Sequence, residues 1–150
     1  MKMQGLVLMV LLCAVAQGRV YTRCEWAQLL KDQKMDGFKG VSLADWVCLT
    51  QHESNYNTSA KNTNKNGSTD YGIFQINSKY WCDDGKPNAT NACGIKCADL
   101  LDNNPLDDIN CAKRIVQDPN GIAAWVAWKC RCKGKDLTKY SKGVDYGLEQ

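Results

Sequence analysis

Glutamate is scarce in this chain, and one of the three stands where it could do chemistry. Only Glu25, Glu53 and Glu149 occur. Glu53 lies in His52-Glu53-Ser54-Asn55, at the C-terminal end of a segment rich in Trp, Val and Leu. A carboxylate there faces the negative end of a helix dipole, and apolar neighbours disfavour its charge by desolvation. A proton-holding carboxyl of this kind is suited to general acid work. Seventeen residues on, Asp70 opens a strand-like stretch among Asn66, Ser68, Thr69 and Asn77. A polar, hydrogen-bonding surround favours an ionised carboxylate. Two carboxyls with unlike proton affinities are what glycoside hydrolysis requires. One protonates the leaving oxygen, and the other stabilises or captures the oxocarbenium-like centre. Taken alone the pairing is a weak signal, because most carboxylates are solvated surface charges.

These side chains need elements to hold them. Residues 23–34 carry Cys24, Ala27, Leu30 and Lys31 at helical spacing, with Gly37 as a stop. Ser42 followed by Asp45 resembles a capping box. It opens a helix that buries Leu43, Trp46, Val47 and Thr50 and ends near Ser54. Asn66-Gly67 signals a two-residue hairpin, and residues 69–77 read as one short strand. Residues 109–116 and 123–132 are further helical stretches. Helices on either side of a small antiparallel sheet make an α+β fold.

Composition narrows the class. The chain has 150 residues, 44% hydrophobic and 23% charged, which is globular composition on the scale of one domain. A formal charge of +3 without a Lys/Arg block excludes a dedicated nucleic-acid binder. Lys2 followed by an apolar run of eleven, residues 6–16, reads as a secretory leader, too short to span a bilayer as an anchor. Ala16 and Gly18 are the small residues before a cut at Arg19. The expected organisation is therefore a leader over 1–18 and one domain over 19–150, secreted, without a membrane anchor and monomeric. Removing the leader leaves 18 basic against 16 acidic residues, or +2, which gives little support to a cationic membrane-active protein.

Removal also takes Cys13 and leaves eight cysteines, an even number that fits an extracellular disulfide framework. About a hundred pairings are open to eight cysteines. Paired CxxC motifs are lacking and His52 is the one histidine of the chain, so a zinc site is a poor reading. Residues 80–104 hold few apolar side chains, so disulfides must order them.

Longer motifs then decide among these readings. They are Gly40-Val41-Ser42-Leu43, Trp46-Val47-Cys48, His52-Glu53-Ser54-Asn55-Tyr56-Asn57-Thr58 and the run from Gly67 to Asn77, Gly-Ser-Thr-Asp-Tyr-Gly-Ile-Phe-Gln-Ile-Asn. Further on come Trp81-Cys82, Asn110-Cys111-Ala112-Lys113-Arg114, Asn120-Gly121 and Ala124-Trp125-Val126-Ala127-Trp128. With these, residues 19–143 resemble the chicken-type (c-type) lysozymes, relatives of α-lactalbumin. The resemblance implies a helical lobe and a small β lobe with a cleft between them. Lysozymes are the type case for this division of labour between carboxyls, so the chemistry is taken over from them.

The resemblance implies Glu53 as general acid/base and Asp70 as nucleophile or electrostatic stabiliser. The reaction would be hydrolysis, with retention, of the β-1,4 bond between N-acetylmuramic acid and N-acetylglucosamine in bacterial peptidoglycan, with no cofactor needed. Substrate contacts carry over to Asn62, Asn64, Gln75, Asn77, Tyr80, Trp81, Asp118, Ala124, Trp125 and Val126. Trp125 is the expected apolar wall against Glu53, while Trp26, Trp46 and Trp128 are assigned to core packing. The alternative is an inactive, α-lactalbumin-like glycan-binding or modifier protein. That protein has lost the glutamate, whereas this chain keeps Glu53 and Asp70 together.

Three family disulfides carry over as Cys48–Cys132, Cys82–Cys97 and Cys93–Cys111. The fourth would join Cys24 to the position held here by Val144. That cysteine is absent and Cys130 is extra, so Cys24 and Cys130 either pair or stay free. Asp102, Asp107 and Asp108 crowd three carboxylates into seven residues. This looks like the calcium loop of α-lactalbumin and calcium-binding lysozymes, with backbone carbonyls from Asp99 and Asn104. Sequons occur at Asn57, Asn66 and Asn88. His52 is expected to be structural or solvent-facing.

Overall fold

The computed structural model describes residues 18–147, together with Gly5. The expected leader therefore lies almost wholly outside the described residues. Among those described, no helix is long and apolar enough to cross a membrane.

Helix α1 (Arg23–Asp32) starts at Thr22, whose hydroxyl accepts from the Glu25 amide at 3.2 Å. This satisfies one of the amides that a helix start leaves open. Its buried face is Trp26, Ala27 and Leu30. The helical spacing places Cys24 on that face; Cys24 is instead exposed, because Trp26 takes the core position. Helix α2 (Leu43–Ser54) begins with the expected cap, the Ser42 hydroxyl accepting from the Asp45 amide at 3.1 Å. It ends at Asn55 in the left-handed conformation (φ 53°). All four residues expected to be buried on α2 are so.

The sheet has three antiparallel strands in the order β1 (Lys61–Thr63), β2 (Thr69–Tyr71) and β3 (Ile76–Asn77). Two expectations change here. The β1–β2 turn is not a two-residue hairpin at Asn66-Gly67. The Gly67 amide donates to the Asn64 carbonyl at 3.0 Å, and within the turn only Gly67 has a positive φ (85°), so this is an ordinary turn followed by a left-handed glycine. The single strand expected over 69–77 is two strands, split at Gly72. That residue has φ 79°, and a Cβ on it would stand 2.2 Å from the Leu100 carbonyl. Only glycine fits both constraints. The split lets Phe74 leave the sheet and enter the core.

There Phe74 meets Trp26, Trp46 and Trp125 with ring centroids 5.7 to 6.4 Å apart, two of the contacts edge-on. Edge-to-face contacts suit the aromatic quadrupole. Helix α2 is central, with α1, α4 (Val126–Arg131) and α5 (Thr138–Ser141) packed on it. Helix α3 (Leu106–Ile115) begins earlier than expected, with Asp107 and Asp108 in its first turn. The helix expected over 123–132 is broken: a 3-10 turn, Gly121–Ala124, precedes Trp125, whose extended backbone (φ −93°, ψ 113°) separates it from α4. Trp26 and Trp46 are fully buried, whereas Trp128 is only half-buried and gives its indole N–H to Asp45 at 2.8 Å.

The disulfides are Cys48–Cys132, Cys82–Cys97 and Cys93–Cys111. The last two staple the apolar-poor region after β3. Cys24 and Cys130 are both free and exposed.

Candidate active site

Glu53 stands on the last turn of α2, where the chain is about to leave the helix. Its neighbour Ser54 fixes that turn, donating its hydroxyl to the Ile73 carbonyl at 2.6 Å. The acid's helix is thereby tied to the loop between β2 and β3. Burial, and after it the negative charge of Asp70, pushes the Glu53 carboxyl up to about 7. Glu53 thus holds its proton at a pH where an ordinary carboxyl has lost it.

Asp70 is the middle of a row across the sheet, paired with Asn62 on one side and Asn77 on the other. Asn77 donates to Asp70 Oδ1 at 2.8 Å, and Asn64 donates to Oδ2 at 3.1 Å. The same two amides also reach the Ser68 hydroxyl, at 2.9 and 3.2 Å. That hydroxyl in turn donates to Asn66 Oδ1 at 2.6 Å. Neutral donors on both oxygens stabilise charge while leaving the carboxylate face toward the cleft.

Both acids line one cleft of about 410 Å³. Asn64, Asn77, Ile115, Tyr80, Trp81, Ala124, Trp125 and Val126 line it with them. Trp125 is aimed by its indole N–H, which donates to the Phe74 carbonyl at 2.8 Å. Flat apolar faces beside amide donors suit sugar rings.

Gln75 also lines the cleft, but its side chain is committed to the fold. Its Nε2 donates to the carbonyls of Ala60 and Gly72, and its Oε1 accepts from Asn62 at 2.7 Å. Asn62 and Asp118 are the two expected substrate contacts outside the cleft lining. Asp118 is paired with Arg114 at 2.7 Å, and the Arg114 guanidinium lies 6.0 Å from the Trp81 ring centre. Asn66, Ser68, Ile76 and Ile115 line the cleft as well, although the sequence does not mark them as lining residues. Ser68 carries a signal, because it sits two residues from Asp70 on the strand side that Asp70 shares. His52 is exposed and takes no part in the cleft; burial, then Arg131, Lys135 and Lys139, lower its proton affinity.

The family model described as the C-type lysozyme/alpha-lactalbumin family matches residues 19–143. The chain belongs to this family. It is 60% identical to Lysozyme C-1 of Mus musculus over 134 residues, 88% of this chain and 90% of the relative. It is 57% identical to Lysozyme C of Scophthalmus maximus over 137 residues, 91% and 96% of the two chains. Lysozyme C-3 of Sus scrofa is 60% identical over 141 residues, 92% and 95%. Each alignment spans most of both proteins, so the likeness is not confined to the catalytic motifs.

The acidic loop of this lysozyme-family chain meets one requirement of a cation site and not another. Asp108 is 1% exposed, and among the described residues neither of its carboxylate oxygens has a hydrogen-bond partner. Burial, then the charges of Asp102 and Asp107, push it up to about 9. An unpartnered buried carboxyl facing two like charges is a donor set short of a cation. The oxygens are not gathered, however: among the described residues, this loop does not bring three carboxylates within 4.8 Å of one another.

Proposed function

We propose that this chain is a secreted lysozyme: a retaining glycoside hydrolase that cleaves the β-1,4 bond between N-acetylmuramic acid and N-acetylglucosamine in bacterial peptidoglycan, with a bacteriolytic role. One observation carries the reading. A half-buried, proton-holding Glu53 and an amide-held Asp70 line the same sugar-sized cleft. On this reading residues 1–18 are a removable leader and residues 19–150 act as one monomeric domain.

The reaction follows from the two environments. A glycan lies along the cleft with rings against Tyr80, Trp81 and Trp125. Glu53 gives its proton to the bridging oxygen, and the bond from that oxygen to the anomeric carbon breaks. Positive charge develops on the sugar facing Asp70, whose oxygens are pinned by Asn64 and Asn77. Asp70 captures or stabilises that centre from the opposite face. Glu53, now ionised, takes a proton from water as it attacks, which regenerates the acid and retains configuration. Trp125 helps to exclude water, which keeps the Glu53 proton in place between turnovers.

A calcium ion would be held by the carboxylates of Asp102, Asp107 and Asp108 and the backbone carbonyls of Asp99 and Asn104. It would neutralise the crowded charge at the start of α3 and act on stability, outside the catalytic steps.

A turbidity assay on a peptidoglycan suspension tests the function. Oxidised wild-type protein should clear it, and Glu53→Gln should lose clearing while still binding glycan. Glycan binding without turnover in the wild type would overturn the proposal in favour of a modifier protein.

A further inference from the structure

Three sequons compete for the same modification, and the fold separates them. Asn57-Thr58-Ser59 is held under the N-terminal segment. Thr58 is 1% exposed, the Arg19 amide donates to its hydroxyl at 2.6 Å, and Val20 pairs with Asn57 as an antiparallel bridge. The Ser59 hydroxyl is turned back onto Asn57 Oδ1 at 2.9 Å. Asn57 is itself half-buried, and the backbone and threonine hydroxyl of its sequon are already taken up by the N-terminal segment.

Asn66-Gly67-Ser68 is committed to the cleft. Ser68 is 8% exposed and receives the two amides that also hold Asp70. Asn66 itself lines the cleft, so a glycan there would stand in the path of the substrate.

Asn88-Ala89-Thr90 differs on every count. Asn88 and Thr90 are both exposed, and neither side chain makes a hydrogen bond among the described residues. Asn88 has φ 66°, so it projects from a tight bend. None of the three residues lines the catalytic cleft. The loop is nonetheless well anchored: the Thr90 amide donates to the Lys79 carbonyl at 3.2 Å, and Cys82–Cys97 encloses the segment. The acceptor amide is therefore free while its backbone is fixed.

We propose that Asn88 is the N-glycosylated residue of this protein, and that Asn57 and Asn66 stay bare. The proposal rests on the secretory reading above, since the donor is a lipid-diphosphate-linked oligosaccharide of that compartment. The Asn88 Nδ2–C1 bond forms as the bond from C1 to the donor's phosphate oxygen breaks. One amide proton is released, and the lipid diphosphate leaves. No oxidant or reductant is required. Transfer precedes folding, so the native contacts act as the filter. A chain sugared at Asn57 or Asn66 would fold against its glycan, whereas one sugared at Asn88 carries it on an exposed side chain at the edge of a surface groove shared with Lys79 and Lys86.

The experiment expresses the full chain in a eukaryotic secretory host and recovers protein from the medium. Peptide N-glycosidase in heavy-oxygen water releases the glycan and marks its site. A single mark at position 88 is expected, and Asn88→Gln and Thr90→Ala should each be secreted at the mass of the bare chain. Both variants should clear peptidoglycan at the wild-type rate, because neither position touches the cleft. A bare wild-type protein in the medium would overturn the glycan while leaving secretion intact. A mark at 57 or 66, or a glycan that survives in either variant, would overturn it equally.

Discussion

Asn77 and Asp70 are direct register partners across β2 and β3, and the amide of the first donates to Oδ1 of the second at 2.8 Å. The sheet thus sets the direction of a catalytic oxygen through a single cross-strand pair. Asn77→Ala removes a hydrogen bond to a charged group, of the order of 1.5 kcal/mol or more. We expect kcat/KM to fall about tenfold or more. Because this bond matters most as charge develops on the sugar, kcat should fall with it while KM moves little. A drop confined to KM would show that Asn77 only binds substrate.

Glu53 links activity to pH. The acid form is the working form, and its proton leaves near pH 7. The alkaline limb of kcat/KM should therefore lie near pH 7 and fall about tenfold per unit above it. Stability has its own sign. The folded state raises this carboxyl above its unfolded value of 4.5, so folding binds a proton between the two values and stability declines as pH rises through them. Glu53→Gln removes that cost. Its thermal midpoint should match wild type at pH 4 and exceed it at pH 8, by a free energy of up to about 3 kcal/mol. Calorimetry at the two pH values checks it.

The acidic loop predicts a response to metal removal. Calcium at about a hundredfold excess over its Kd should stabilise the fold by roughly 3 kcal/mol, raising the thermal midpoint by several degrees relative to chelator-treated protein. Asp108→Asn should abolish the difference. A wild-type midpoint indifferent to chelator would dismiss the site.

The C-terminal segment predicts a gain. The Cys24 sulfur lies 3.8 Å from the Lys142 carbonyl, and a Cβ on Gly143 would stand 3.4 Å from it. Val144 packs against the core beside it. Val144→Cys should close the missing bridge, raising stability by about 2 to 4 kcal/mol. On the secreted protein without residues 1–18, a thiol titration should then find one free cysteine, Cys130. Two remaining free thiols, or an unchanged midpoint, would refute it.

Most local features of this fold are legible in the amino-acid sequence, the turn at Asn66-Gly67 excepted, and most tertiary ones are not. Ser42 with Asp45 signals the start of α2 because capping is local, and the Trp/Val/Leu run around Glu53 signals a desolvated acid. The pairing of the six bridged cysteines follows from the family resemblance, since spacing alone leaves it open. The break at Gly72 is marked locally only by the glycine itself, and its reason, the close approach of Leu100, is tertiary. Cys24 has the helical spacing of the buried face, yet the larger Trp26 occupies the core there. The role of Gln75 is equally hidden, because its partners Ala60 and Asn62 lie on another part of the chain.

The hydroxyl of Ser54 grips the Ile73 carbonyl one residue away from the acid itself. It clasps the helix end that carries the proton donor to the segment leaving the strand that carries Asp70. The spacing of the two acids therefore depends on a side chain that touches neither of them.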